Sequence, residues 1–464
     1  MNKDVKSIVV AGLSGGSGKS VVAVGLTAHL HDIGLQVVPF KKGPDYIDAG
    51  WLSQAAGRPC YNLDPYLMRE EEIIFSFHRH AVNADFSVIE GNRGVYDGVN
   101  VEGGFSTAEL AIQLDLPVLL VVNCSKTTRT VAALVLGCRQ FDKRLNIGGV
   151  ILNQIATPRH ESVIRQSIER YTDIPVLGIV PRRKEVIFPM RHLGVTPHQE
   201  SDSVSQVVKN LSDLIRENFD VDQIRELARP VTIQERESEP LTQTVDARVT
   251  IGVVRDRAFQ FYYEENLEAL RENGAKLVMI DALYSDILPD DLDGLYIGGG
   301  FPETSAKQLA ENKSFRESVR QQAENGLPIY AECGGLIFLG RSIVLDGKEY
   351  PLSGVFPVTF GISKKPQAHG YSIFTADRNN PFYPEGTTIK GHEFRYSTVL
   401  KWDGKSDDLA LMMDRGTGFM NKRDGLVRNN VLALYTHVLA SGTSEWASGI
   451  ILAARKYHRN RLQC

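Results

Sequence analysis

Cysteine is scarce in this chain: five residues in 464, namely Cys60, Cys124, Cys138, Cys333 and Cys464. They are odd in number and widely spaced, with no CxxC pair. Neither a disulfide framework nor a thiolate zinc site is expected, and a reduced compartment fits. Long apolar runs are missing too. The longest, such as Leu116 to Val122, fall far short of the ~20 residues that a membrane-spanning helix requires. Positive charge is not in excess either, since 52 Lys and Arg against 56 Asp and Glu leave a formal net charge of −4. Nucleic acid is therefore not an expected partner, and nor is a membrane. The chain enters a strand-like run soon after Met1, leaving no room for the charged start, apolar middle and cleavage site of an export signal, so a cytoplasmic protein is expected.

A chain of 464 residues exceeds what one core usually fills, and two domains of roughly 200 residues each are expected. The first half alternates apolar runs with helical stretches. Strands are expected at Ser7 to Val10, Leu35 to Phe40, Phe86 to Ile89, Pro117 to Val122, Gly149 to Leu152 and Pro175 to Val180, with a helix from Val21 to His31. Such short runs, buried on both faces, predict a parallel sheet covered by helices, a doubly wound α/β domain. Around Thr232 to Pro240 the sequence becomes polar and reads as a linker. A second α/β series then begins at Val249 to Val254 and continues at Gly294 to Ile297, Leu327 to Tyr330 and Val431 to Tyr435. The expected division is 1–225, a linker at 226–248, and 249–464.

The first apolar run leads into Ser14-Gly15-Gly16-Ser17-Gly18-Lys19-Ser20. A polyanion is best surrounded by backbone N–H groups at a helix N-terminus, without bulky side chains. Gly15, Gly16, Ser17 and Gly18 allow that approach, Lys19 can reach the terminal phosphates of ATP, and Ser20 can ligate Mg2+. The spacing departs from G-x-x-x-x-G-K-S, because Leu13 stands at the first glycine position and Gly12 is one residue early. Glu90, ending the run Phe86 to Glu90, is the Walker-B-like carboxylate. In Lys41 to Asp48, after the second strand, Asp45 is the expected second metal carboxylate and Asp48 lies closer to the acceptor. Asp97, in Gly91 to Gly98, has similar standing to Asp48.

The second half carries Ile329-Tyr330-Ala331-Glu332-Cys333-Gly334-Gly335. Small neighbours permit a sharp strand-to-helix elbow that exposes the Cys333 thiol as a nucleophile. Gly298 to Glu303 can turn backbone amides toward a developing oxyanion, with Gly299, Gly300 and Gly334 as donors. The base must come from His369, His392 or His437. His437 is preferred because it ends an apolar strand, leaving His392 and His369 as structural or acceptor-binding. Val438 and Leu439 follow His437, so the usual carboxylate two positions on is absent, and whether the pair works without a third member stays open.

Taken together, these motifs, with Arg191 to Gly194 and Gly391 to Ser397, resemble the cobyrinic acid a,c-diamide synthase family of tetrapyrrole amidotransferases over almost the whole chain. The resemblance implies an N-terminal dethiobiotin-synthetase-like domain that binds ATP with Mg2+, and a C-terminal class I glutaminase domain using Cys333 and His437. It also implies that Asp45, Asp48, Glu90 and Asp97 serve metal, phosphate and acceptor, that Asn153 lies near the adenine, and that L-glutamine and cobyrinic acid are the other substrates. A homodimer stays open. The alternative acceptors are nickel-sirohydrochlorin and siroheme. A reading from another class is a nucleotide-switch ATPase with no use for Cys333.

Overall fold

The computed structural model describes residues 3–182, 190–191, 194–195, 197–200, 203–233 and 249–463. The chain divides into two compact units, Met1–Ser238 and Glu239–Cys464. The first unit runs β1 (Lys3–Gly12), α1 (Lys19–Asp32), β2 (Val37–Lys42), α2 (Ile47–Ala56), β3 (Tyr61–Leu63), α3 (Glu70–Ala81), β4 (Phe86–Glu90), α4 (Thr107–Gln113), β5 (Val118–Asn123), α5 (Thr130–Phe141), β6 (Ile147–Ile155), α6 (Pro158–Thr172), β7 (Val176–Pro181), α7 (Val204–Asn218), α8 (Val221–Leu227) and β8 (Arg229–Ile233). Strands β1 to β7 form a sheet in the order β3-β2-β4-β1-β5-β6-β7, and every neighbouring pair in it is parallel. The chain winds first to one side of β1 and then to the other, so the C-terminal end of β1 lies at the topological switch point, where such sheets bind ligands.

The six strands expected in this half are all present. The very short β3 was not foreseen. Nor was β8, which pairs antiparallel with the first residues of β1, Lys3 opposite Ile233 and Ser7 opposite Arg229. Residues 226–233, expected as the start of the linker, instead finish α8 and form β8, because backbone pairing to β1 satisfies their polar groups. The remainder of the expected linker, 234–248, lies outside the described residues, as do His192 and Leu193 of the Arg191 to Gly194 motif.

Helix α1 has apolar residues all round and buries Val22, Val24, Leu26 and Leu30. A helix without a polar face must be covered on both sides, and α1 packs in one core with the sheet residues Ile8, Val10, Leu119 and Val121 and with Leu211 and Ile215 of α7. Gly25 permits the α1–α7 approach, since a Cβ there would lie 2.8 Å from Ile215 Cγ1 and 3.0 Å from the Leu211 carbonyl oxygen.

The second unit contains β9 (Val249–Val254), β10 (Phe259–Phe261), α9 (Glu264–Glu272), β11 (Ala275–Ile280), β12 (Gly294–Ile297), β13 (Gly299–Gly300), β14 (Ile329–Glu332), α10 (Gly334–Leu339), β15 (Ala368–Ala376), β16 (Thr388–Arg395), β17 (Leu409–Arg415), β18 (Arg423–Arg428), β19 (Val431–Leu434) and α11 (Ser444–Gln463). Its main sheet has the order β11-β9-β12-β14-β19-β18-β17-β15-β16. The first five strands are parallel. From β19 onward the pairing turns antiparallel, an extension that the apolar runs alone did not announce. A smaller sheet joins Ser342–Leu345, Lys348–Pro351, Val358–Ile362 and Ser397–Trp402. Side chains alternate between the two faces of a strand. Leu295, Ile297, Ile329, Ala331, Val431 and Ala433 thus fill one core, while Tyr296, Tyr330, Leu432 and Leu434 fill the other with Trp446 of α11. Among the described residues no helix is long and apolar enough to cross a membrane.

Replacing Gly25 by Val should force α1 off α7 and lower the stability of the first unit by about 1–3 kcal/mol, as overpacking does. Urea unfolding should show the transition of that unit moving to lower denaturant while the transition of the second unit stays in place.

Candidate functional site

At the switch point of the first unit, β1 passes the chain to the loop Leu13–Gly18 and then to α1. Gly18 caps α1 in the left-handed region, with φ of 99°. A Cβ there would meet Asn153 Nδ2 at 2.3 Å. Asn153, at the end of β6, donates from Nδ2 to the Ser17 carbonyl (2.8 Å) and accepts from Gln154 N at Oδ1 (2.8 Å). Expected near an adenine, it holds the loop through Nδ2, while Oδ1 is engaged by the next residue of its own strand. Ser17 Oγ donates to the Ser14 carbonyl at 3.0 Å, and Lys19 Nζ donates to the carbonyls of Ser14 (3.0 Å) and Arg93 (2.7 Å). Around Gly15 and Gly16 a Cβ would meet nothing within 4 Å. The loop so presents small residues, a lysine and the positive end of a helix dipole, the set that receives a phosphate chain.

Below the loop lies a buried charge cluster centred on Lys41, whose side chain is 2% exposed. Its Nζ contacts Asp48 Oδ2 at 2.7 Å and Glu90 Oε1 at 3.2 Å. Ser20 Oγ donates to the same Glu90 oxygen at 2.7 Å and lies 3.4 Å from Asp48 Oδ1. Burial disfavours the Lys41 charge, but Asp48, Glu90 and Asp45 outweigh it and hold the ammonium above the usual lysine range. Burial and the Asp48 charge push Glu90 up to about 7. Burial and Asp48 likewise push Asp45 up to about 6. Burial and the Lys41 charge lower Lys19.

The structure brings together Ser20, Asp48 and Glu90. Asp45 sits beside them but turns its Oδ1 to the Asp48 amide (2.8 Å), at the start of α2. The carboxylate that joins Glu90 at the Ser20 hydroxyl is therefore Asp48 and not Asp45. Asp97 accepts from Gly94 N at 2.8 Å, closing a turn at the exposed rim of the loop. Lys41 was missed as a residue with a role; its one signal is a lysine closing an apolar strand at the ligand-binding end of the sheet. Among the described residues no three His, Cys, Asp or Glu side chains converge on a metal unaided. The donor set nevertheless fits Mg2+. Glu90 Oε2 is buried without a hydrogen-bond partner, and Mg2+ takes one or two carboxylates when phosphates and waters complete its shell.

In the second unit β14 ends in Glu332, and Cys333 turns the chain into α10 with φ of 46° and ψ of −94°. Few non-glycine residues adopt this region, and strain of this kind gathers at functional sites. The turn is held by Cys333 N donating to the Leu434 carbonyl (2.8 Å) and Gly335 N to the Gly298 carbonyl (3.1 Å). The Cys333 and His437 side chains hydrogen-bond to each other, so the preferred histidine is the one that meets the thiol. His437 Nδ1 lies 3.5 Å from Glu332 Oε2, both side chains being almost fully buried. The carboxylate missing after His437 thus has a counterpart nearby, on the residue before the cysteine.

His392 stacks on His437, ring centroids 4.9 Å apart, and the two backbones bridge through His392 N to the His437 carbonyl (3.1 Å) and His437 N to the His392 carbonyl (2.8 Å). Burial and the His437 charge hold His392 well below the usual histidine range, so it packs as a neutral ring within the site. His369 is exposed and lies edge-on to Phe394. The three glycines crowd the pair: a Cβ on Gly299 would lie 2.4 Å from His437 Cε1, and one on Gly334 would lie 2.9 Å from Gly300 N. Burial works against a charged His437, but Cys333 and Glu332 outweigh it and push it up to about 10.

The comparisons with known proteins follow the same division. Residues 8–195 match the family model of the CobQ/CobB/MinD/ParA nucleotide binding domain. Residues 250–444 match the CobB/CobQ-like glutamine amidotransferase domain. The cobyrinate a,c-diamide synthase of Magnetococcus marinus is 43% identical over 437 residues, covering 93% of each chain. That of Dehalococcoides mccartyi is 36% identical over 465 residues, covering 97% of this chain and 98% of the relative. The corresponding protein of Archaeoglobus fulgidus is 37% identical over 437 residues, covering 94% of each.

Burial pushes the Cys124 thiol up to about 12 and also raises Cys138. Limiting iodoacetamide at pH 7 should therefore label Cys333 well ahead of Cys60, Cys124 and Cys138, as read by peptide mass spectrometry, and His437→Ala should erase that preference.

Proposed function

The chain belongs to the cobyrinate a,c-diamide synthase family, and on that premise we propose that it converts the a and c acetate carboxylates of cobyrinic acid to amides with ATP and glutamine. It is a glutamine-hydrolysing carbon–nitrogen ligase. The reading is carried by one conjunction: a phosphate loop with its buried acids in the first unit, and an elbow cysteine hydrogen-bonded to a histidine in the second.

A carboxylate is a poor electrophile, so it must be activated before an amine can displace oxygen from it. In the proposed sequence an acceptor carboxylate oxygen attacks the γ-phosphorus of ATP, the bond to ADP breaks, and an acyl phosphate forms. The backbone of Gly15 to Gly18 surrounds the phosphates, while Lys19 offsets charge that accumulates on the transferring group. Ser20 and Glu90, with Asp48 and Asp45 beside them, would hold Mg2+. That ion would supply electrostatic stabilisation of the transferring oxygens. Asp48 and Asp97 orient the acceptor at the loop. Asn153 keeps the loop in the shape that accepts the nucleotide.

In the second unit the Cys333 thiolate attacks the glutamine side-chain carbonyl, and the developing oxyanion meets the amides of Gly299, Gly300 and Gly334. His437 gives its proton to the departing nitrogen, ammonia leaves, and water hydrolyses the thioester to glutamate. Ammonia then adds to the acyl phosphate carbon, the carbon–oxygen bond to phosphate breaks, and an amide and inorganic phosphate result.

Purified protein with MgATP and glutamine should release ADP faster when cobyrinic acid is added, and mass spectrometry should find products one and two amides along. No stimulation by cobyrinic acid would overturn the acceptor assignment. Cys333→Ala should abolish glutamine-supported turnover and spare turnover with free ammonia, whereas Lys19→Ala should lower both by roughly 100-fold or more. Equal loss of both activities in folded Cys333→Ala would contradict the division of labour.

A further inference from the structure

Among the described residues one carboxylate faces the His437 ring, that of Glu332. Val438 and Leu439 carry no charge, and the groups that face the ring are Cys333 and Glu332 from the end of β14, Gly299 from β13 and the neutral ring of His392 from β16. Behind them stand Tyr296, whose hydroxyl donates to Glu332 Oε2 at 3.2 Å, and Tyr263, 3.3 Å from His392 Nδ1. His369 acts on this group only by charge, through His392.

We propose that Glu332 is the positioning carboxylate of the glutaminase site: its Oε2, 3.5 Å from His437 Nδ1, faces the Nδ1–H as its acceptor, which leaves the other ring nitrogen for the Cys333 thiol and stabilises the imidazolium without taking its proton. The inference rests on reading Cys333 and His437 as the glutaminase pair. In a regular strand consecutive side chains point to opposite faces, so neighbours such as Glu332 and Cys333 do not normally reach one ring. The left-handed turn at Cys333, φ 46°, breaks that alternation and lets both converge on His437. Glu332 is also fixed in place. The Tyr296 hydroxyl holds Oε2 and the Val438 amide holds Oε1 at 3.3 Å, and the side chain has no exposure. The peptide that follows His437 thus clamps the carboxylate that orients it.

The sign of the pH effect follows from charge. A negative group beside a protonated imidazole raises its pKa, so removing the charge lowers it. Glu332→Gln keeps the shape and the contact with the Val438 amide but removes the charge. Glutaminase kcat/KM of the full chain, measured across pH, should fall at pH 8 by at least roughly 100-fold, with KM for glutamine little changed. The alkaline limb of its profile should move down by about one pH unit or more. Glu332→Asp should keep that limb near its wild-type position despite lower activity. Turnover with free ammonia should be untouched in both variants, and the urea transition of the second unit should stay at its wild-type position, which reports on their folding. A Glu332→Gln enzyme with an unmoved alkaline limb, whether or not its rate falls, overturns the proposal. Cys333→Ala tells this failure apart from failure of the parent reading: glutaminase activity surviving in Cys333→Ala overturns the assignment of the pair itself.

Discussion

A parallel strand that feeds a helix must change direction within a few residues at the end where ligands bind. In both halves of this chain it does so through the left-handed backbone region. In the first unit Gly18 takes the conformation at no steric cost. In the second Cys333, a residue with a Cβ, is held there by bonds to Leu434 and, through Gly335, to Gly298. The difference follows from what each turn delivers. A phosphate loop works through backbone amides and is best without side chains, whereas a nucleophile elbow exists to thrust one side chain forward.

Both sites then depend on charges removed from water. Taking an ion into a protein interior is unfavourable by several kcal/mol unless a partner and hydrogen bonds replace the water, and removing one partner of a buried pair costs about 3–5 kcal/mol. Lys41 is the partner that lets Asp48 and Glu90 share a site in the first unit. In the second, His437 and Glu332 are each other's partner, assisted by Tyr296 and Val438. The altered proton affinities of Glu90, Asp45 and His437 follow from that burial and pairing.

Much of the fold was legible because the parallel strands are buried on both faces and read as continuous apolar runs: β1, β2, β4 to β7, β9, β12, β14 and β19 all appear where such runs stand. The elements that were not legible have no such run. Strand β8 is mostly exposed and exists because β1 offers it a pairing edge. The antiparallel strands from Ala368 to Arg428 alternate in burial and mix polar with apolar residues. Of the site residues, Cys333 and His437 were legible from an elbow signature and a strand end. Lys41 and Glu332 were not, since a lysine or a glutamate in a sequence carries no mark of what lies across from it.

The sequence by itself determined the doubly buried parallel strands, the division into two α/β units, and the residue types at the ends of those strands, because periodicity, glycine placement and apolar runs are local properties of the chain. Only the tertiary structure decided which charged groups meet. Asp48 rather than Asp45 reaches Ser20, Lys41 stands between two carboxylates, and the residue before the nucleophile instead of one after the histidine supplies the acid at His437. Those pairings join residues up to about a hundred positions apart, such as Glu332 and Val438. Strand pairing and one left-handed turn bring them together, and neither leaves a periodic trace in the sequence.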